Sequence, residues 1–111
     1  MAKIIVTGGS GRFGTILKKI SNKNYKSRPM VQHEKNIIQS INLNIIGTSN
    51  IVIVCKKLKI KLIYFSTSYI YPGDKGNYKE DDPILPVNNY AWSKLGGESA
   101  VQMYNNSLII R

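Results

Sequence analysis

The sequence predicts an α/β fold built on a parallel sheet, and three observations predict it. Short apolar runs, KIIVT at 3–7, KLIYFS at 61–66 and SLII at 107–110, read as strands. Between them lie longer stretches whose apolar residues recur at spacings of three and four, the mark of amphipathic helices. A glycine-rich loop follows the first strand directly, so the order is β, α, α, β, α, β.

The first strand carries no alternating polar residues, as expected of a strand buried on both faces. After the loop GGSGRFG, the residues Phe13, Ile16, Leu17 and Ile20 share one helical face. Residues 21–33, SNKNYKSRPMVQH, have no periodicity and read as a linker. From residue 34 to about 58, Ile37, Ile41, Ile45, Thr48, Val52 and Cys55 form the stripe of one long helix. Gly47 interrupts it at a cost of about 1 kcal/mol relative to alanine, which close packing against a neighbour would justify. After the strand at 61–66, residues 69–87 read as a loop, with PGDKG and DDP supplying turns and Pro86 preventing an early helix. Asn88 or Asn89 then caps a helix running to about residue 104.

With 111 residues the chain holds one modest core and one domain. Its 42% hydrophobic and 20% charged residues are ordinary for a folded soluble protein. The longest uninterrupted apolar run, at 51–55, is far shorter than the ~20 residues of a membrane span, and the opening MAKIIVTGG is too short for a signal peptide. A cytoplasmic location is therefore expected. Cys55 is the single cysteine and His33 the single histidine, which leaves no disulfide or metal cluster to propose. The net charge of +10 raises nucleic-acid binding as an option, but the lysines are scattered, apart from Lys56, Lys57, Lys59 and Lys61, and no aromatic residues interleave with them. No nucleic-acid role is expected.

Two features carry chemistry. Gly9, Gly11 and Gly14 fit G-x-G-x-x-G, and Gly8, Gly11 and Gly14 fit a G-x-x-G-x-x-G variant. Either spacing permits a tight turn, a close backbone approach to a pyrophosphate and close packing of helix on strand. The helix N-terminus then offers its free N–H groups to the anion. Second, Tyr90 and Lys94 lie one turn apart on the last helix. A neighbouring cation favours phenolate and would bring a tyrosine from its ordinary pKa of about 10 toward neutrality. By its spacing alone the pair reads better as a surface Tyr and Lys on an amphipathic helix.

Taken in order, TGGSGRFG, INLNIIGTSNI, YFSTSYIYPG, NYKEDDPILPVNNYAWSKLGGE and LIIR resemble the extended short-chain dehydrogenase/reductases that act on nucleotide sugars, with the dTDP-4-dehydrorhamnose reductase-like group the most similar. The resemblance implies a partial Rossmann-type doubly wound parallel sheet of about three strands and three helices. It implies NAD or NADP as cofactor, held by Gly8, Gly9, Ser10, Gly11, Arg12, Phe13, Gly14, Asn44 and Lys94. It makes Thr67, Tyr90 and Lys94 the catalytic residues. Thr67 would hydrogen-bond the substrate oxygen, Tyr90 would act as acid and base, and Lys94 would hold the cofactor ribose while lowering the tyrosine pKa. Asn44, in N-x-x-G-T, would help order the site. The reaction implied is reduction of a keto group on a nucleotide-linked sugar. The alternatives are epimerisation by the same family, or a non-catalytic truncated remnant that keeps only cofactor-loop binding or self-association, since a chain this short is not expected to be active alone. Ser68 and Tyr69 stand where dehydrating relatives carry an Asp-Glu pair, which argues against a dehydratase.

Relatives of this kind are about twice as long or more. The linker is too short for the strands that normally follow the glycine loop, so a deletion is expected near residues 23–27, with the substrate lobe absent. The acidic residue that would read the ribose falls in that gap. Glu34 has the right distance but no strand before it, so NAD and NADP both stand. Direct pairing of 3–7 with 61–66 would leave an apolar sheet edge open to self-association.

Overall fold

A computed structural model describes residues 35–111. The strand expected at 3–7, the glycine loop Gly8, Gly9, Ser10, Gly11, Arg12, Phe13 and Gly14, the linker, His33 and Glu34 lie outside the described residues.

The long helix expected from residue 34 is present as α1, Ile37–Leu58. Asn36 caps it, its side-chain oxygen accepting from the Gln39 N–H at 2.9 Å. Regular α-helix over Ile37–Ser40 gives way to a π-helical stretch at Ile41–Ile46, and α-helix resumes over Gly47–Leu58. The Gly47 N–H donates to the Asn42 carbonyl five residues back, which closes the wide turn. A Cβ at Gly47 would meet that same carbonyl at 3.3 Å, so this glycine faces its own helix rather than a neighbour. Lys59, at φ 56°, ends the helix in the left-handed conformation, and Ile60 N–H returns to the Cys55 carbonyl at 2.9 Å.

By length and composition α1 is apolar enough to cross a membrane. The longest-run criterion overlooks this because single polar residues interrupt the apolar ones. Two of those polar residues face the protein: Ser40 is buried, and Asn44 bonds to the next helix.

Strands β1 (Leu62–Phe65) and β2 (Ser107–Ile110) pair in parallel, Leu62 opposite Ser107 and Phe65 opposite Ile110. Ser66 N–H extends the ladder to the Ile110 carbonyl at 2.7 Å. Between the strands runs α2 (Asn89–Gln102), capped by Asn88, whose side chain accepts from Ala91 N–H at 2.8 Å. These are the parallel α/β elements the sequence predicts, two strands and two helices of them among the described residues. The expected loop opens on a 3-10 turn at Ser68–Ile70 rather than at once.

Helix α2 lies on the sheet and α1 packs on α2. Ala91, Val101 and Ile70 are fully buried, with Tyr64, Tyr71, Tyr104 and Cys55 around them. Tyr104 donates from its hydroxyl to the carbonyls of Cys55 and Ile60, which ties the end of α1 to the end of α2. Alternation in the strands turns Tyr64 inward, while Ile63, Phe65, Leu108 and Ile110 share the opposite, exposed face.

Candidate active site

The site forms where α2 begins, between α1 and the end of β1. Asn88 starts α2 and so places Tyr90 in its first turn, Ser93 and Lys94 in the next. Asn44, within the π-helical stretch of α1, donates from its amide to Ser93 Oγ at 2.8 Å, and Ser93 donates to the Tyr90 carbonyl at 2.8 Å. This chain ties Asn44 to the backbone of the tyrosine turn. Two glycines let the helices approach. A Cβ at Gly97 would lie 2.2 Å from the Asn44 carbonyl oxygen, 2.9 Å from the Tyr64 hydroxyl and 3.1 Å from Thr48 Oγ1.

Thr67 follows β1 and caps the 3-10 turn, its hydroxyl oxygen accepting from Tyr69 N–H at 3.3 Å. The loop then doubles back, Leu85 N–H to the Ile70 carbonyl at 2.8 Å and Val87 N–H to the Tyr69 carbonyl at 3.2 Å. That return sets Tyr69 beside the start of α2. Tyr69 accordingly acts on Tyr90: burial first, and then the repulsion of a Tyr69 phenolate, push the Tyr90 hydroxyl above its ordinary pKa.

The expected pull of Lys94 on the Tyr90 phenol is not tested by these contacts; the ammonium is directed at the Tyr64 ring. Lys94 Nζ sits 4.2 Å from the centroid of Tyr64. Burial lowers the Lys94 pKa from 10.5 to about 8, against the opposing pull of the Glu98 carboxylate. Tyr64 donates from its hydroxyl to the Lys94 carbonyl at 2.9 Å, and burial raises its own pKa.

Behind the site a buried ion pair joins three elements. Glu98, 2% exposed, accepts from Arg111 Nη2 at 2.7 Å and Nε at 3.1 Å, and also from the Ser66 hydroxyl. Arg111 Nη1 reaches the Tyr71 hydroxyl at 2.9 Å and the Glu80 carbonyl at 2.7 Å. The loop is thereby held to β2, with Tyr71 and Tyr78 stacked 4.9 Å apart.

Asn44, Tyr90 and Lys94 thus meet around α2, Thr67 stands at the neighbouring turn, and Gly8 to Gly14 fall outside the described residues. Tyr64 and Ser93 are the residues the sequence reading passed over. Ser93 lies three residues after Tyr90, and strand alternation points Tyr64 toward α2, so both signals were available.

The RmlD substrate binding domain family matches residues 30–111. The chain belongs to that family. Among curated relatives, the probable low-salt glycan biosynthesis reductase Agl14 of Haloferax volcanii is 42% identical over 60 residues, covering 52% of this chain and 20% of that protein. Methionine adenosyltransferase 2 subunit beta of Xenopus laevis is 34% identical over 68 residues, covering 61% and 20%. A crystal structure of dTDP-4-dehydrorhamnose reductase from Bacillus anthracis, in complex with NADP, is similar at a TM-score of 0.69 and 34% identity, covering 72% of this chain and 29% of that one. The chain spans about a fifth of the length of these curated relatives. For a member of the RmlD substrate binding domain family, the matched range takes in both parallel strands and both helices of the described residues.

Proposed function

We propose that this chain carries the catalytic part of a sugar-nucleotide reductase that uses NADP or NAD, its substrate a nucleotide-linked sugar with a 4-keto group. The observation that carries the reading is the bracing of Tyr90 and Lys94, one turn apart on α2, by Asn44 through Ser93. Toward a dinucleotide the described residues offer what a ribose requires, a hydroxyl and an ammonium on one helix face. The cofactor, when bound, supplies the hydride.

The chain's own residues do the rest. Lys94 holds ribose hydroxyls. Tyr90, whose raised pKa keeps it protonated at neutral pH, gives its proton to the oxygen of the carbonyl as the carbon is reduced. Thr67 accepts from Tyr69 N–H through its oxygen, so its own hydroxyl proton remains free to stabilise that same oxygen. We read residues 1–111 as one partial dinucleotide-binding domain of a cytoplasmic protein, with α1 as a helix that packs on α2. Its polar contacts to α2 support that reading over a membrane span.

Titrating the protein with NADPH and NADH while following nicotinamide fluorescence tests the proposal. Saturable binding of either is expected. With a dTDP-linked 4-keto sugar as substrate, Tyr90→Phe should lower turnover by about 100-fold or more and leave cofactor affinity within about twofold. A flat titration with both cofactors supports a second reading, a non-catalytic partner subunit. The relative named as a subunit favours this second reading. Under it, the exposed Ile63, Phe65, Leu108 and Ile110 face is the surface for self-association.

A further inference from the structure

Lys94 is anchored twice by the same side chain. The Tyr64 hydroxyl donates to the Lys94 carbonyl at 2.9 Å, and the Tyr64 ring centroid lies 4.2 Å from the Lys94 ammonium. A cation over a tyrosine face within about 6 Å is attracted by the negative centre of the ring, most strongly where water is excluded. Tyr64 is 8% exposed, so water is largely excluded on its side. The ring cannot easily leave. Strand β1 holds its backbone in the parallel ladder, and the close approach of Gly97 holds its hydroxyl, since a Cβ there would come within 2.9 Å of that oxygen. Thr48 on α1 stands on the same side as a hydrogen-bond partner of the hydroxyl.

We propose that Tyr64 is a positioning residue for Lys94, seating the ammonium on its ring face and pinning the helix backbone at the same residue through its hydroxyl. Sheet and helix thereby share the task of aiming one charge. A lysine side chain has four rotatable carbons, and a fixed aromatic platform removes much of the freedom that would blur where its charge sits. The consequence for cofactor binding rests on the reading of Lys94 given above; the seating itself does not.

The test uses the full chain with its lysines reductively methylated with carbon-13, the Lys94 signal being assigned by its loss in Lys94→Arg. Methyl groups over a ring face resonate upfield of those in water. In the wild type, Lys94 methyls upfield of the other lysines and a nuclear Overhauser contact to the Tyr64 ring protons are expected. Tyr64→Phe, which keeps the ring, should retain the upfield signal, and Tyr64→Leu should lose it. Lys94 methyls grouped with the other lysines in the wild type, with no contact to the Tyr64 ring, would overturn the proposal even if Tyr64→Leu failed to fold. NADPH titration separates the two readings. Tyr64→Leu should weaken NADPH binding about three- to tenfold and Tyr64→Phe should recover most of that. A wild type with the upfield signal but no NADPH binding removes the reductase reading and leaves the seating intact.

Discussion

Burial holds the Lys94 pKa near about 8, and stability must respond to pH in one direction. In the unfolded chain this lysine titrates near 10.5, so between about pH 8 and 10.5 the unfolded chain keeps a proton that the folded chain has released. Folding is then favoured progressively as pH rises through that window, and the cost of burying the charge is fully present below it. Lys94→Met removes the cost at every pH. The variant should melt above the wild type at pH 7, and the gap should close by pH 10; an unchanged gap across that range would refute the lowered pKa. Lys94 shows what spacing leaves open at this scale. Spacing places Lys94 one turn from the phenol, but the rotamer of a long side chain is chosen by what it meets, and Lys94 meets Tyr64. The pair was legible and its electrostatics were not.

Helix α2 was legible almost to its ends, because Asn88 is a strong cap and the alternation of the flanking strands bounds it. The π-helical stretch of α1 was not, since INLNII has the same apolar spacing as ordinary helix and the wide turn shows only in which carbonyl Gly47 reaches. Glycines separate the two kinds of information. Gly47 attracted notice because it interrupts an apolar stripe, yet the close contact between helices falls at Gly97, where the clash is with backbone. Alanine for glycine inside a helix ordinarily stabilises by about 1 kcal/mol. At Gly97 the added carbon would sit 2.2 Å from the Asn44 carbonyl oxygen, which belongs to the helix and cannot rotate away. Gly97→Ala should therefore cost about 1–3 kcal/mol in urea denaturation. At Gly96 the atoms met are side-chain carbons of Ile45 at 2.8 and 2.9 Å, which can turn aside, so Gly96→Ala should stay within about 1 kcal/mol of the wild type. Equal losses at both positions would mean that the Asn44 turn yields as easily as a side chain.

Across the whole described body, sheet, last helix and long loop meet at Glu98 and Arg111. Both residues stand in stretches that resemble the reductase family, but nothing local in the sequence pairs them. Their meeting depends on β2 running parallel to β1, so that its end returns to the side of α2 where Glu98 is buried. The two charges are unequally exposed, 15% for the arginine side chain and 2% for the glutamate. Deleting the arginine strands the more deeply buried charge, with the Ser66 hydroxyl and the more distant pull of the Lys94 ammonium left to it. Removing one partner of a buried pair costs about 3–5 kcal/mol, whereas replacing both by apolar groups is often neutral. Arg111→Met should accordingly lower stability by several kcal/mol, and Glu98→Met combined with Arg111→Met should restore most of it. The loop supplies an independent measure, since Arg111 also holds Tyr71 and the Glu80 carbonyl. Those contacts are lost in either variant, so proteolysis between residues 71 and 82 should quicken in both, including the one whose stability recovers. A double variant as unstable as Arg111→Met would show that the arginine acts through the loop alone, and that the buried carboxylate needs no partner charge.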